Sequence, residues 1–281
     1  MPDPAPNVAA RRLARVLREL RKASGLGQEA VRKAIDASAG KISRLENGEF
    51  SKVNLNDVRA LLAFYKVPEE QQEELLDLAR ASRGSGWWER YGSVLDSGYA
   101  GFEEEASAIS TYQPLVVPGL LQTPAYAEAI IRGDQITDAQ EIEHRLAFRM
   151  RRQQILKRPH PPHLSLIIDQ AALSRPFGSA DDRRQQLQWL IDAGQAPNID
   201  VRVIPFSAGT HPGLATGFTI LDYTDDPSIV YIEMAGNALY LEEADEIASH
   251  RLRWQHLRAV ALDPGGTAHM LAQLMNDVEV E

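Results

Sequence analysis

The chain has 281 residues and no cysteine. That excludes disulfides, thiolate metal sites and cysteine nucleophiles, and it fits a reducing compartment. There is no run of eighteen or more apolar residues, so no membrane span is expected. The opening MPDPAPN lacks the apolar core of a signal peptide, and a cytoplasmic protein is expected. No Gly-x-Ser-x-Gly elbow occurs. AGTHPG has neither phosphate-loop spacing nor a following Lys-Ser/Thr. His160, His163 and His211 stand apart from metal motifs: Pro161 and Pro162 block helical ligand spacing between the first two, and no Asp or Glu sits at a metal-motif offset. They read as loop histidines. Neither an internal repeat nor a low-complexity tract is present. No catalytic residue, metal or cofactor is therefore expected, and the chain does not read as an enzyme.

What is present is an uneven charge. The formal net charge is −9. Residues 1–66 nevertheless hold 13 Lys+Arg against 7 Asp+Glu, a net of +6, and the remainder carries −15. Such asymmetry hints at a nucleic-acid-binding module joined to an acidic partner domain.

Apolar spacing predicts five short helices in the first eighty residues. Val8 to Ser24 carries Leu13, Val16, Leu17 and Leu20 on one stripe, and Gly25 ends it. Gln28 to Ile35 is the second helix. Ser38 is expected to cap a third, running to Glu46 and stopped by Asn47-Gly48. Asn54 caps a fourth, and Pro68 opens a fifth that reaches about Ser82. Gly84, Ser85 and Gly86 then break the pattern. Helical spacing returns at Gly101–Thr111, Thr123–Arg132 and Thr137–Lys157. HLSLIID and NIDVRVIPF alternate as strands and flank a helix from Ser179 to Ala193, an order that predicts a right-handed parallel crossover. GFTILDY and SIVYIEM, separated by TDDP, predict a hairpin. NALYLE adds a short strand, and helices over 242–261 and 265–275 close the chain. The expected class is α+β: an all-helical domain over 1–82, a hinge and connecting helix over 83–111, and a mixed α/β domain with a small mixed sheet over 112–281.

The segment Gln28 to Leu45 has the offsets of two helices crossing at a sharp turn. Val31, Ile35, Ala37, Ile42 and Leu45 face inward, while Lys41, Ser43 and Arg44 face outward. The whole stretch LRELRKASGLGQEAVRKAIDASAGKISRLENGEF resembles the helix-turn-helix of lambda-type repressors and of the xenobiotic-response-element family of bacterial regulators. The resemblance covers about residues 8–66. It implies that Gln28 contacts a phosphate and braces the recognition helix, that Ser38 caps that helix and reaches phosphate, and that Ala39, Gly40 and Arg44 occupy base-reading positions. Lys41 is expected at a base or a phosphate, and Asn47 at the phosphate backbone. Arg21 and Glu46 match a pair that forms an internal salt bridge. Two departures stand out: Asp36 replaces the usual turn glycine, and Arg32 replaces a small residue, so its stem must snorkel outward.

YQPLVVPGLLQTPAYAEAII and IPFSAGTHPGLATGFTIL resemble the C-terminal region of actinobacterial regulators that join this motif to a domain of unassigned biochemistry, some of them antitoxin-like. Outside those phrases, Asp181 and Asp182 read as charges opening a helix, as do Glu103 to Glu105. Trp87, Trp88 and Tyr91 read as a packed hinge cluster. Arg149 to Arg158 reads as a solvated or dimer-facing basic stripe. The resulting expectation is a transcriptional regulator that binds an inverted repeat in double-stranded DNA as a homodimer, with PLVVPGLL and the strands over 217–241 furnishing the interface. Its C-terminal domain senses a small molecule or a protein. The rival expectation is an antitoxin-like module that sequesters a small partner protein.

Overall fold

The computed structural model describes residues 8–48, 50, 53–82, 87–91, 97–234 and 237–278. The chain divides into two compact units, residues 1–105 and 106–281.

The first unit is helical: α1 (Val8–Ala23), α2 (Gln28–Ala34), α3 (Lys41–Asn47), α4 (Leu55–Phe64), α5 (Glu69–Ala81), a 3-10 turn (Trp87–Tyr91) and α6 (Ser97–Glu105). Leu13 and Leu17 of α1 share one core with Val31, Ile42, Leu45, Val58, Leu61, Leu62 and Leu76, so every helix of the first five contributes an apolar face. The turns obey local chemistry. Gly25, Asp36 and Gly48 take positive φ of 68°, 51° and 71°, the region where glycine is unstrained and aspartate is among the tolerated side chains. Asp36 thus fills the role of the missing glycine. Asn54 caps α4 by accepting from the Asn56 N–H at 2.9 Å.

Two expectations fail here. The recognition helix begins at Lys41 rather than after a Ser38 cap. Gly40 adopts φ 75°, and the Lys41 N–H closes a turn onto the Ser38 carbonyl at 3.2 Å. The left-handed glycine ends helical φ/ψ on its N-terminal side, so Ser38 and Ala39 lie in the turn ahead of the helix. Glu103 to Glu105 close α6 instead of opening a helix, and Glu103 is buried. The Trp87 ring meets Trp88 and Tyr91 edge-on at 6.0 Å, and Trp88 lies against Gly101 of α6.

The second unit is built on a six-stranded sheet in the order β3-β2-β1-β4-β5-β6. Its strands are β1 (Ala108–Gln113), β2 (His163–Asp169), β3 (Ile199–Ile204), β4 (Phe218–Asp222), β5 (Ile229–Met234) and β6 (Asn237–Leu241). β1 pairs parallel with β2, and β2 parallel with β3. β4, β5 and β6 continue antiparallel. β2 and β3 pair in parallel with the helix Ala180–Ala193 between them in sequence, as the strand–helix–strand order predicts. Helices α7 (Pro124–Gly133), α8 (Ala139–Arg152), α9 (Gln170–Ser174), α10 (Ala180–Ala193), α11 (Ala244–Val260) and α12 (Pro264–Asp277) complete the unit. The helix expected over Thr137–Lys157 ends at Arg152 and tightens into a 3-10 turn over Gln153–Lys157. Of the helix expected across Gly101–Thr111, α6 covers Gly101–Glu105, and strand β1 takes the place of its end from Ala108. Its Ser110 and Thr111 disguise a strand whose Thr111 is buried and shares a hydroxyl hydrogen bond with Thr219 at 2.9 Å. A satisfied polar pair is tolerated in a sheet interior.

The apolar phrase PLVVPGLL is core rather than free interface. Val117, Leu120 and Leu121 are buried, and Leu115 is exposed. Of the strands over 217–241, β4 is buried through Leu221, and Met234 and Leu239 remain in solvent.

Tyr112 of β1 is fully buried, edge-on to His211 and near Phe218. A Cβ added to Gly213 would stand 2.4 Å from its ring. Gly213→Ala is therefore expected to destabilise the second unit by about 1–3 kcal/mol through overpacking, read as a lower denaturant midpoint. An unchanged midpoint would show that the loop yields freely.

Candidate nucleic-acid interface

The site is organised by one carboxylate. Glu46, near the end of α3, is only 2% exposed. Its Oε1 accepts from Arg21 Nε at 2.6 Å, and its Oε2 accepts from Arg21 Nη2 at 2.9 Å and from Gln28 Nε2 at 2.8 Å. Arg18 Nη2 donates to the Glu46 carbonyl at 2.5 Å, and Arg21 Nη1 to the Leu26 carbonyl at 2.9 Å. Helix α1, the turn after it, the first residue of α2 and the end of α3 therefore meet at one buried ionic centre. The hydrogen bond to Glu46 raises the Arg21 pKa above its ordinary value, so the guanidinium stays charged.

Around this centre the predicted contact residues fall into three groups. Gln28 braces α3 through Glu46. Ser38, Ala39 and Gly40 form the exposed turn ahead of α3, and Ser43 and Asn47 lie on the helix, Asn47 exposed. The two cations differ. Lys41 Nζ is paired with Asp57 Oδ2 of α4 at 2.7 Å. Arg44 is exposed; its backbone is bonded within the helix, and its guanidinium has no hydrogen bond or ion pair to any described residue. Arg32, expected to snorkel outward, does so with partners: it forms a bidentate pair with Glu29 and donates to the Ala37 carbonyl at 3.0 Å, closing the turn between α2 and α3.

In the second unit the flagged residues serve structure. Asp182 completes a capping box with Ser179, and Asp181 pairs with Arg184. The basic run is solvated only in part: Arg151 and Lys157 are exposed, and the other three cations are engaged. Arg152 is buried beside Phe148, Arg149 donates to Gln122 Oε1 at 2.8 Å, and Arg158 donates to backbone carbonyls at Ala106 and His160. Arg149 is held by the turn over residues 119–123 through Gln122, and Gln153 satisfies two carbonyls of that turn, those of Gly119 and Gln122. His160 is exposed in a loop, and His163 is exposed but opens β2 instead of lying in a loop; His211 does lie in a loop, with its side chain buried. Its Nδ1 accepts from the Gly213 N–H at 3.3 Å, which leaves Nε2–H to donate to Asp169 at 3.1 Å. The 42-residue separation of that pair hid it from motif reading.

Residues 97–273 match the family described as Domain of unknown function (DUF5753). The chain belongs to this family. Residues 12–75 match a family described as a helix-turn-helix domain, which spans α1 to α5 without their outermost residues. No curated protein and no solved structure matches the chain. Among the described residues, no helix is long and apolar enough to cross a membrane.

The helix-turn-helix assignment makes the first unit a DNA-binding candidate, and the DUF5753 region supplies the mixed α/β partner. Two neighbours of the candidate site escaped sequence reading. Asp57 of α4 pairs with Lys41. Tyr65 adjoins the Glu46 centre, where burial, with the Glu46 charge adding, pushes its phenol up to about 12.

Both residues give predictions. Asp57→Asn should free Lys41 for phosphate, tightening DNA binding several-fold at low salt and steepening its salt dependence by about one contact; a flat response in a filter-binding salt series would place Lys41 away from the backbone. A raised phenol pKa favours the folded state fully below pH 10, and this contribution is lost as pH rises toward 12. Tyr65→Phe should therefore flatten the alkaline loss of stability across that window, measured by denaturant titration, relative to the wild-type chain.

Proposed function

We propose that the chain is a cytoplasmic, sequence-specific transcriptional regulator of the xenobiotic-response-element type, and not an enzyme. The observation that carries the reading is Arg44: an exposed guanidinium without a described partner, on a short helix braced from beneath by the buried Glu46 centre. In a major groove such a side chain reads guanine O6 and N7 bidentately. Gln28, Ser38, Lys41 and Asn47 are assigned to phosphates, which set the register. Ala39 and Gly40, lying in the turn ahead of α3, allow close approach of the backbone to the groove. The net +6 of residues 1–66 supports this assignment despite the acidic total.

One recognition helix reads too few base pairs for genomic specificity. The reading therefore includes a homodimer, with two α3 helices meeting major grooves about 34 Å apart. The DUF5753 region is assigned the sensing role, toward a small molecule or a protein.

Site selection from random duplexes with the full chain tests this. The expected product is an inverted repeat with half-site centres about one helical turn apart. On that site Arg44→Ala should cost about 1–3 kcal/mol, with a much smaller loss on random DNA. Equal losses would make Arg44 a phosphate contact. Failure to enrich any sequence, with a small protein retained stoichiometrically by the chain, would replace the regulator by the sequestering module.

A further inference from the structure

The DUF5753 region contains a cavity of about 190 Å³ between α9, α10, α12 and the segment leading into α7. Its walls are apolar and aromatic, with Tyr126, Phe177, Leu187 and Leu274 as the principal surfaces. Its polar lining includes two guanidinium groups, Arg175 and Arg183, against the single carboxylate of Asp277. We propose that this cavity binds a small aromatic carboxylate, its ring between the Tyr126–Phe177 and Leu187–Leu274 walls and its carboxylate toward Arg175. The proposal rests on the sensing role assigned above to this region and gives it a site and a ligand class.

Size, rigidity and charge each narrow the ligand. An apolar protein cavity of about 150 Å³ accepts benzene, so this volume suits one ring and a short substituent, well below a drug-sized occupant. The walls are preorganised. Tyr126 and Phe177 meet edge-to-face at 4.6 Å, and the Tyr126 hydroxyl accepts from the Val117 N–H at 3.1 Å. Gln186 is buried, accepts from the Thr123 N–H at 2.7 Å and donates to the Leu121 carbonyl at 2.8 Å, which fixes the turn before α7. Gly178 at φ 50° and the Ser179–Asp182 capping box shape the loop that carries Phe177. The Tyr126 hydroxyl and the Gln186 amide are engaged with backbone groups, so the ring meets mainly carbon, and the charged groups decide between anion and cation. Burial pushes the Tyr126 phenol up, and the Val117 N–H opposes it most, followed by the charges of Arg149 and Arg175. A carboxylate in that field gains a charge-assisted contact that a neutral isostere lacks. An ammonium would face two like charges against the one carboxylate of Asp277.

Ligand-observed NMR titration of the full chain with benzoate, benzamide and benzylamine tests the site. Benzoate should bind saturably, at least fivefold more tightly than benzamide, with benzylamine weakest. Arg175→Gln, an exposed change that leaves the walls intact, should remove the benzoate advantage. Leu274→Trp should fill the cavity and abolish binding of both benzoate and benzamide; if that variant does not fold, Arg175→Gln decides alone. Equal affinities for the three probes, or benzoate binding untouched by Arg175→Gln, would overturn the proposal. Operator affinity followed in the same titration separates the two readings. Cavity binding that leaves DNA affinity unchanged keeps the site and removes its sensing role, whereas absence of benzoate binding removes the site and leaves the DNA reading standing.

Discussion

A seven-residue helix cannot hold itself in water, because helix nucleation costs more than two turns of hydrogen bonds return. Helix α3, which carries the predicted base-reading arginine, is seven residues long. Its position depends on what lies beneath it: the buried Ile42 and Leu45, and above all the Glu46 carboxylate. That group accepts three side-chain hydrogen bonds from two other parts of the motif. Removing one partner of such a centre leaves charge in a poor solvent and costs about 3–5 kcal/mol, more than a surface ion pair contributes. The apolar core holds the five helices together. The ionic centre fixes where the end of α3 sits relative to α1 and α2, and hence the direction in which Arg44 projects.

Electrostatics outside that centre modulate binding instead of creating the fold. Lys41–Asp57 is a partly exposed pair, weak in stability terms, yet it occupies a cation that the proposed reading assigns to phosphate. The DUF5753 region treats its arginines in the opposite way. Arg149, Arg152 and Arg158 are tied into the unit's own backbone and aromatic groups, so the densest basic run in the chain contributes little to the DNA reading. Charge in sequence and charge available to a ligand are different quantities here.

Much of this was legible in the residues. The five-helix order, the Asn54 cap, the tolerance of Asp36 for positive φ, the β2–β3 parallel pair and the β4–β5 hairpin follow from spacing and turn chemistry. What sequence reading missed shares a cause: contacts between distant residues. Thr111 looked helical because its hydroxyl partner, Thr219, lies on another strand. His211 is the loop histidine it looked like, but its buried partner Asp169 comes from the end of β2 and was out of sight. Arg149 looked solvated because nothing local shows that Gln122 needs it. Ser38 looked like a cap because serine is a good one, whereas Gly40, two residues on, moved the start of the helix.

The most direct test of the account is the affinity of a Glu46→Gln variant for the selected operator and for random duplex, measured side by side on the folded full chain. Glutamine keeps the shape of the side chain and removes the charge that gathers Arg21 and Gln28. The account predicts a loss of about tenfold or more in the ratio of specific to random binding, with random binding nearly unchanged because the exposed cations remain. A folded variant that keeps the wild-type ratio would contradict the claim that the buried carboxylate aims the recognition helix.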